Sequence, residues 1–134
     1  MRYMALDVGE RRVGIAVSDL LGITAQGVRT IEIRKPDDLM APLKELISEY
    51  EVGMLVVGLP LNMDGTSGKK VEEIRELGEL LHEKYGLPVI YQDERLSTRA
   101  VETTLITADV SRNKRRKVVD KLAAVYILQG YLDR

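Results

Sequence analysis

The chain has no cysteine, no tryptophan and no phenylalanine, and it holds a single histidine. Without cysteine there is no disulfide, no thiolate zinc site and no cysteine nucleophile, a composition that fits a reducing compartment. Tyrosine is the only aromatic residue. The core must therefore come from Leu, Val, Ile, Met and Ala, and the scarcity of aromatic rings argues against base stacking as the main way of holding a nucleic acid. The lone His82 falls within the acidic segment 72–83, a solvated face, so no histidine stands ready as a general base. No apolar run approaches the roughly 18 residues of a membrane span, and no charged-then-apolar leader opens the chain. A soluble cytoplasmic protein without a membrane partner is expected.

Apolar residues supply 45% of the 134 positions and charged residues 31%. That is enough for one packed domain over residues 1–134 with a strongly solvated surface. The net charge of −1 carries no bias toward a partner, but its distribution does. Arg112, Lys114, Arg115, Arg116, Lys117 and Lys121 crowd around the single carboxylate Asp120, a local positive field within a chain otherwise slightly acidic.

Residues 1–8 and 11–18 read as strands joined through the hairpin-short Gly9-Glu10, and residues 25–33 as a third strand. Pro36 opens a helix with Asp37 and Asp38 in its first turn, as the helix dipole favours, and Leu39, Leu43, Leu46, Ile47 and Tyr50 follow at helical spacing. Residues 54–57 form a short run typical of a strand covered on both faces. Residues 58–68 make a loop of Gly, Pro, Asn and Asp. A helix over residues 71–85, capped by Ser67, turns Val71, Ile74, Leu77, Leu80 and Leu81 inward, and residues 87–92 form another buried strand. Ser97 or Thr98 caps a helix to about Thr107, a mobile loop is expected over 109–115, and a last helix over 116–132. The order is βββαβαβαα: an α/β fold with a mixed sheet and helices on both faces. Ligands of such sheets bind at the carboxyl ends of strands, where Asp7, Gly58 and Glu94 all fall.

Three carboxylates stand out. Asp7 ends an apolar strand and precedes Gly9, which permits a tight turn and a close approach of backbone to ligand; the plainer alternative is an Asp that bonds its own turn. Gly14, on the second strand, points to close packing nearby. Glu94 lies in Asp93-Glu94-Arg95. Neighbours on a strand face opposite ways, so only one of the two acids can meet Asp7, and Glu94 is the choice; a solvated charge cluster is the alternative. Asp120 interrupts an apolar helix just before the small Ala123 and Ala124, which would leave space for a metal or phosphate, and sits near a helix N-terminus, where negative charge is favoured. Its alternative is an ion pair with Arg116 or Lys117 one turn earlier. Carboxylates brought by three separate elements suit a divalent metal and phosphate chemistry. In the 58–68 loop, Asn62 and Thr66 are candidate contacts to backbone phosphate, although the loop is no Walker motif. Arg12, Arg95 and the run Arg112, Lys114, Arg115, Arg116, Lys117 are candidates for holding a nucleic-acid backbone; a solvated loop is the ordinary fate of such a run.

The segments LDVGERRVGIAVSD, GLPLNMDGTSG, DERLST and VVDKLAAVYILQGYL together resemble, in order and spacing along the whole chain, the YqgF family of pre-16S rRNA nucleases, also described as RuvC-like Holliday junction resolvases. The resemblance implies an RNase H-like fold with a five-stranded mixed sheet flanked by helices. It also implies a divalent-metal phosphodiesterase site at Asp7, Glu94 and Asp120, for which one or two Mg²⁺ or Mn²⁺ ions are expected; were there two, roughly 4 Å apart, Asp7 at the sheet centre is the best candidate to bridge them. The implied substrate is the rRNA precursor or, alternatively, a four-way DNA junction, taken by a monomer or a homodimer. RuvC-type resolvases carry a further aspartate one helical turn after the first in the last helix, where Ala123 and Ala124 stand here, and use aromatic wedges and dimers, whereas this chain has no Phe or Trp; both points favour RNA. Two other classes remain: an actin-like nucleotide-binding domain, which needs a second such domain, and a non-catalytic nucleic-acid-binding module.

Overall fold

The structure, a computed structural model, describes residues 1–60, 68–93 and 112–134, the side chains of 112–120 excepted. Five strands, β1 (Arg2–Val8), β2 (Arg12–Ser18), β3 (Ala25–Glu32), β4 (Val52–Leu59) and β5 (Val89–Asp93), form one sheet in the order β3-β2-β1-β4-β5. β1 pairs antiparallel with β2 and β2 with β3, while β1–β4 and β4–β5 are parallel. The three antiparallel strands and the two parallel ones are those the sequence pattern predicts, but only β4 is largely buried; β5, at the sheet edge, is half-buried rather than covered on both faces. The helices are α1 (Met40–Glu49), α2 (Lys69–Tyr85) and α3 (Arg112–Leu132). The helix expected over 97–107 lies outside the described residues.

Side-chain alternation divides the core in two. On one face Met4, Leu6, Val13, Ile15, Val17, Leu55 and Val57 pack with Leu43 and Leu46 of α1 and Ile74 and Leu81 of α2. On the other, Ala5, Ala16 and Val56 meet Ala124, Ile127, Leu128 and Tyr131 of α3. These four α3 positions follow the i, i+3, i+4, i+7 spacing of a single helical stripe.

Several expectations need correction. Pro36 opens a 3-10 turn, Pro36–Leu39, and the α-helix starts only at Met40. The Asp38 carboxylate accepts the N–H groups of Arg34 (2.8 Å) and Lys35 (3.2 Å), so it fastens the incoming chain. The N-cap of α2 is Gly68 and carries no side-chain cap bond; Ser67 lies outside the described residues. Leu80 is 39% exposed, because the inward stripe of α2 runs through Val71, Ile74, Gly78 and Leu81. A side chain at Gly78 would collide with the Tyr91 ring. α3 begins at Arg112 rather than 116, since Arg and Lys are good helix formers despite their charge. Asp120 therefore stands in the third turn, beyond reach of the N-terminal dipole, which fades within the first. Ala123 and Ala124 are fully buried and leave no opening; Ala124 lies against Ala5 and Ala16, small on small, which lets α3 approach the sheet closely.

The sheet end remote from the β1 carboxyl terminus is fastened by polar groups. Gln129 of α3 accepts the Ala25 N–H (3.0 Å) and donates to the Ile23 carbonyl (2.9 Å). Gln129→Leu is expected to cost about 0.5–1.5 kcal/mol, chiefly through the part-buried Ala25 N–H, since water can replace the exposed Ile23 contact, a drop that thermal melting would register. The β2–β3 hairpin closes on Asp19, whose carboxylate accepts from Ile23 (2.7 Å) and Thr24 (3.2 Å). The Ile23 bond is the main reason that the Asp19 carboxyl lies below its ordinary value of 3.8, burial opposing it and Thr24 adding to it. A carboxyl lowered by folding contributes its stabilisation in full above the unfolded value, and loses it as pH falls through the folded one. In Asp19→Asn the melting-temperature deficit relative to the native chain should be present at neutral pH and shrink below about pH 4. A deficit constant over that range would assign the acid response elsewhere.

Candidate active site

The site is built on strand parity. Tyr3 and Ala5 belong to the α3 face of β1 and Met4 and Leu6 to the other, so Asp7 projects to the α3 side at the carboxyl end of the central strand. Its cross-strand partner on β2 is Gly14, which in turn pairs with Thr30 of β3. On the β4 side the register runs Leu6 to Val57, so the next step sets Gly58 beside Asp7, and Gly58 pairs with Gln92 of β5. The half-buried Asp7 carboxylate thus stands in a row flanked by glycine on both sides. Any larger residue at 14 or 58 would put a Cβ beside it. Two residues along β2 on the same face, Arg12 lies opposite Glu32. Asp7, Arg12, Thr30 and Asp93 are each engaged by neighbouring groups.

Gly9 serves the turn that presents Asp7. Its N–H donates to the Arg12 carbonyl at 2.8 Å, and a Cβ there would stand 2.9 Å from that same oxygen. The chain therefore reverses tightly just beyond the carboxylate, as the Asp-x-Gly spacing suggests.

On β5, Ile90 belongs to the α3 face, while Val89 and Tyr91 belong to the opposite core. Alternation gives Gln92 to the α3 face and turns Asp93, which is exposed, away from Asp7. Asp93 is thereby removed as a partner of Asp7. Glu94, Arg95, Asn62 and Thr66 lie outside the described residues. Position 120 is one turn before Ala124 on the stripe of α3 that packs on Ala5 and Ala16. α3 descends from this level to Tyr131, whose ring meets Tyr3 at 5.9 Å, so position 120 lies toward the Asp7 end of the sheet. Arg112, Lys114, Arg115, Arg116 and Lys117 occupy the first turns of α3, on regular helix rather than on a loop. Among the described residues no three acidic, histidine or cysteine groups cluster to hold a metal; of the three predicted ligands, only Asp7 has a described side chain. His82 is exposed, and its Nδ1 lies 2.7 Å from the Leu87 carbonyl, a contact that joins α2 to the β5 entry and plays no part in this site. Arg29, which shares a cleft with Arg12, Thr30 and Lys121, escaped the sequence reading, and Lys121 entered it only as part of the positive field around Asp120. No local pattern singles out Arg29, and only the pairing of β3 at the sheet edge brings it near.

A family model described as RuvX, Holliday junction resolvase, matches residues 1–134. Among curated relatives, one from Heliobacterium modesticaldum is 54% identical over 133 residues, covering 99% of this chain and 89% of its own. One from Listeria innocua is 56% identical over 135 residues, with 99% and 98% covered, and one from Streptococcus suis is 56% identical over 137 residues, with 100% and 99% covered. Each bears the name "Putative pre-16S rRNA nuclease". Among solved structures, Thermus thermophilus RuvC in complex with Holliday junction substrate superposes with a TM-score of 0.57 at 14% identity, over 98% of this chain and 93% of that one. The fowlpox virus resolvase with Holliday junction DNA gives 0.59 at 13% identity, over 99% and 97%. The fold is RNase H-like, as the sequence resemblance implies.

Proposed function

This chain belongs to the RuvX/YqgF family, and on that premise we propose that it is a divalent-metal-dependent endonuclease that hydrolyses phosphodiester bonds in structured RNA, with the 5′ segment of the small-subunit rRNA precursor as its substrate. The observation that carries the reading is the placement of Asp7: a carboxylate at the carboxyl end of the central strand, between Gly14 and Gly58 of the neighbouring strands, on the face toward position 120 of α3. The carboxyl end of a strand in such a sheet is where ligands bind, so a half-buried carboxylate there suits a binding role.

Asp7, Glu94 and Asp120 are the residues that would hold Mg²⁺ or Mn²⁺, and an all-oxygen, all-carboxylate set suits those hard cations. The bound cation supplies activation of water and neutralisation of charge at the scissile phosphate. The chain's own part is to keep three carboxylates ionised and to fix the phosphate relative to them. Arg12, on the Asp7 face, and the basic first turns of α3 attract and orient the polynucleotide backbone, and Asn62, Thr66 and Arg95 complete the grip.

The family model's description favours a second reading, resolution of four-way DNA junctions. Presenting a precursor rRNA 5′ segment and a four-way DNA junction in parallel, with Mn²⁺, separates the two. Cleavage of the RNA with the junction left whole is the expected result; cleavage of the junction alone would replace the RNA assignment.

A further inference from the structure

An open cleft of about 630 Å³ runs around the outer edge of β3, lined by Arg12, Arg29, Thr30, Glu32, Lys121 and Pro42. We propose that it is a binding track for one polynucleotide strand, in which Lys121 on the α3 side and Arg29 at the edge of β3 hold successive phosphates leading away from Asp7. The proposal rests on the nuclease reading for the direction of the strand, but not for its binding.

Three observations carry it. The first is how Lys121 is aimed. A Cβ at Gly27 would stand 2.6–3.1 Å from the Cγ, Cδ and Cε of Lys121. The absence of a side chain at 27 therefore makes a channel in which the aliphatic stem of Lys121 lies flat against β3, carrying its ammonium toward the cleft. A lysine with a solvated, structureless role needs no such channel. The second is composition: among the described residues that line the cleft, three cations accompany one carboxylate, Glu32, which lies directly across from Arg12. Arg29 is exposed, and the cations are spread along an open groove rather than gathered on one point. That geometry suits a chain of phosphates better than a single small anion. The third is continuity. Thr30 pairs with Gly14 and Gly14 with Asp7, so the track starts two strand spacings, roughly 10 Å, from the carboxylate. That span suits neighbouring phosphates of one strand.

Arg29 and Lys121 act as positioning residues, and their test reads binding apart from cleavage. The probe is a labelled single-stranded oligouridylate, bound in EDTA across a series of salt concentrations. Arg29→Met and Lys121→Met should each weaken binding and make the slope of log affinity against log salt shallower by about 0.7, the value per phosphate contact on a single strand. Gly27→Ala, which alters no charge, should reproduce the Lys121→Met effect by displacing the lysine stem. Lys84→Met, on the exposed far side of α2, should leave the slope unchanged. Equal slopes for native, Arg29→Met and Lys121→Met proteins, or a Lys84→Met effect as large as theirs, would overturn the track. So would polyglutamate competing as well as RNA. Because no metal or cleavage is involved, these outcomes stand whether or not the nuclease reading survives. Conversely, intact metal-dependent cleavage with unaltered binding in the cleft variants would remove the track alone.

Discussion

Asp7→Asn is expected to lower metal-dependent cleavage by at least about 100-fold while the protein stays folded. Changes in groups that merely orient a metal ligand already cost about 10–100-fold, and removal of a ligand charge exceeds that. Asn keeps the size and the hydrogen-bonding oxygen of Asp but not the charge that a hard cation requires. The fold does not depend on that charge. Asp7 ends a strand whose core contacts are made by Met4, Ala5 and Leu6, all fully buried, and the carboxylate itself is only half-buried. The melting temperature should move by no more than a few degrees, corresponding to roughly 1 kcal/mol for a domain of this size. Cleavage assays and thermal melts on the same preparations check both halves. A folded Asp7→Asn protein that cleaves at the native rate would count against the whole assignment.

Ala124→Leu should be the most damaging single change in the hydrophobic layer between helix and sheet. Ala124 is fully buried against Ala5, Ala16 and Val56, so added methylenes have no cavity to fill. Overpacking of this kind costs about 1–3 kcal/mol. Here the strain falls where the α3 backbone must come close to β1 and β2, and its relief is a shift of α3 away from the sheet. Since α3 carries Asp120 one turn earlier, cleavage should fall by far more than the loss of folded protein explains. Leu43→Ala is the comparison. It opens a cavity in the other core, between α1 and the sheet, and should cost about 2–5 kcal/mol. Where the Leu43→Ala chain is still folded, it should cleave at close to the native rate. Equal losses of activity per unit of lost stability in the two variants would contradict this division of labour between the faces.

The parts of the fold that could be read from the sequence are those with a strong local period. β1, β2 and β3 announce themselves by alternation and a tight Gly9 turn, and β4 by an apolar run too short for a helix. The alternation that keeps Asp93 and Glu94 from facing one metal together is seen along β5 in the opposite faces of Ile90 and Tyr91, while Glu94 itself lies outside the described residues. The misreadings arose where charge and structure pull apart. The run Arg112–Lys117 looks like a loop by charge, yet its residues are good helix formers and belong to the same helix as Ala124, Ile127 and Leu128. Ala123 and Ala124 suggested space beside a carboxylate, because small residues look alike in a sequence whether they line an opening or allow two backbones to touch. The glycines at 14 and 58 acquire their meaning only once register sets them on either side of Asp7. Likewise Gly27 and Lys121, far apart in sequence, become partners only when α3 crosses β3.

The most direct test of the central claim is Mn²⁺ binding, followed by thermal stabilisation and titration calorimetry, for the native chain and for Asp7→Asn, Glu94→Gln and Asp120→Asn. If the three carboxylates share one site, every single substitution should sharply reduce Mn²⁺ affinity and abolish the metal-dependent rise in melting temperature. If Glu94→Gln or Asp120→Asn binds Mn²⁺ as the native chain does, those residues lie outside the site, and the three-carboxylate account is wrong.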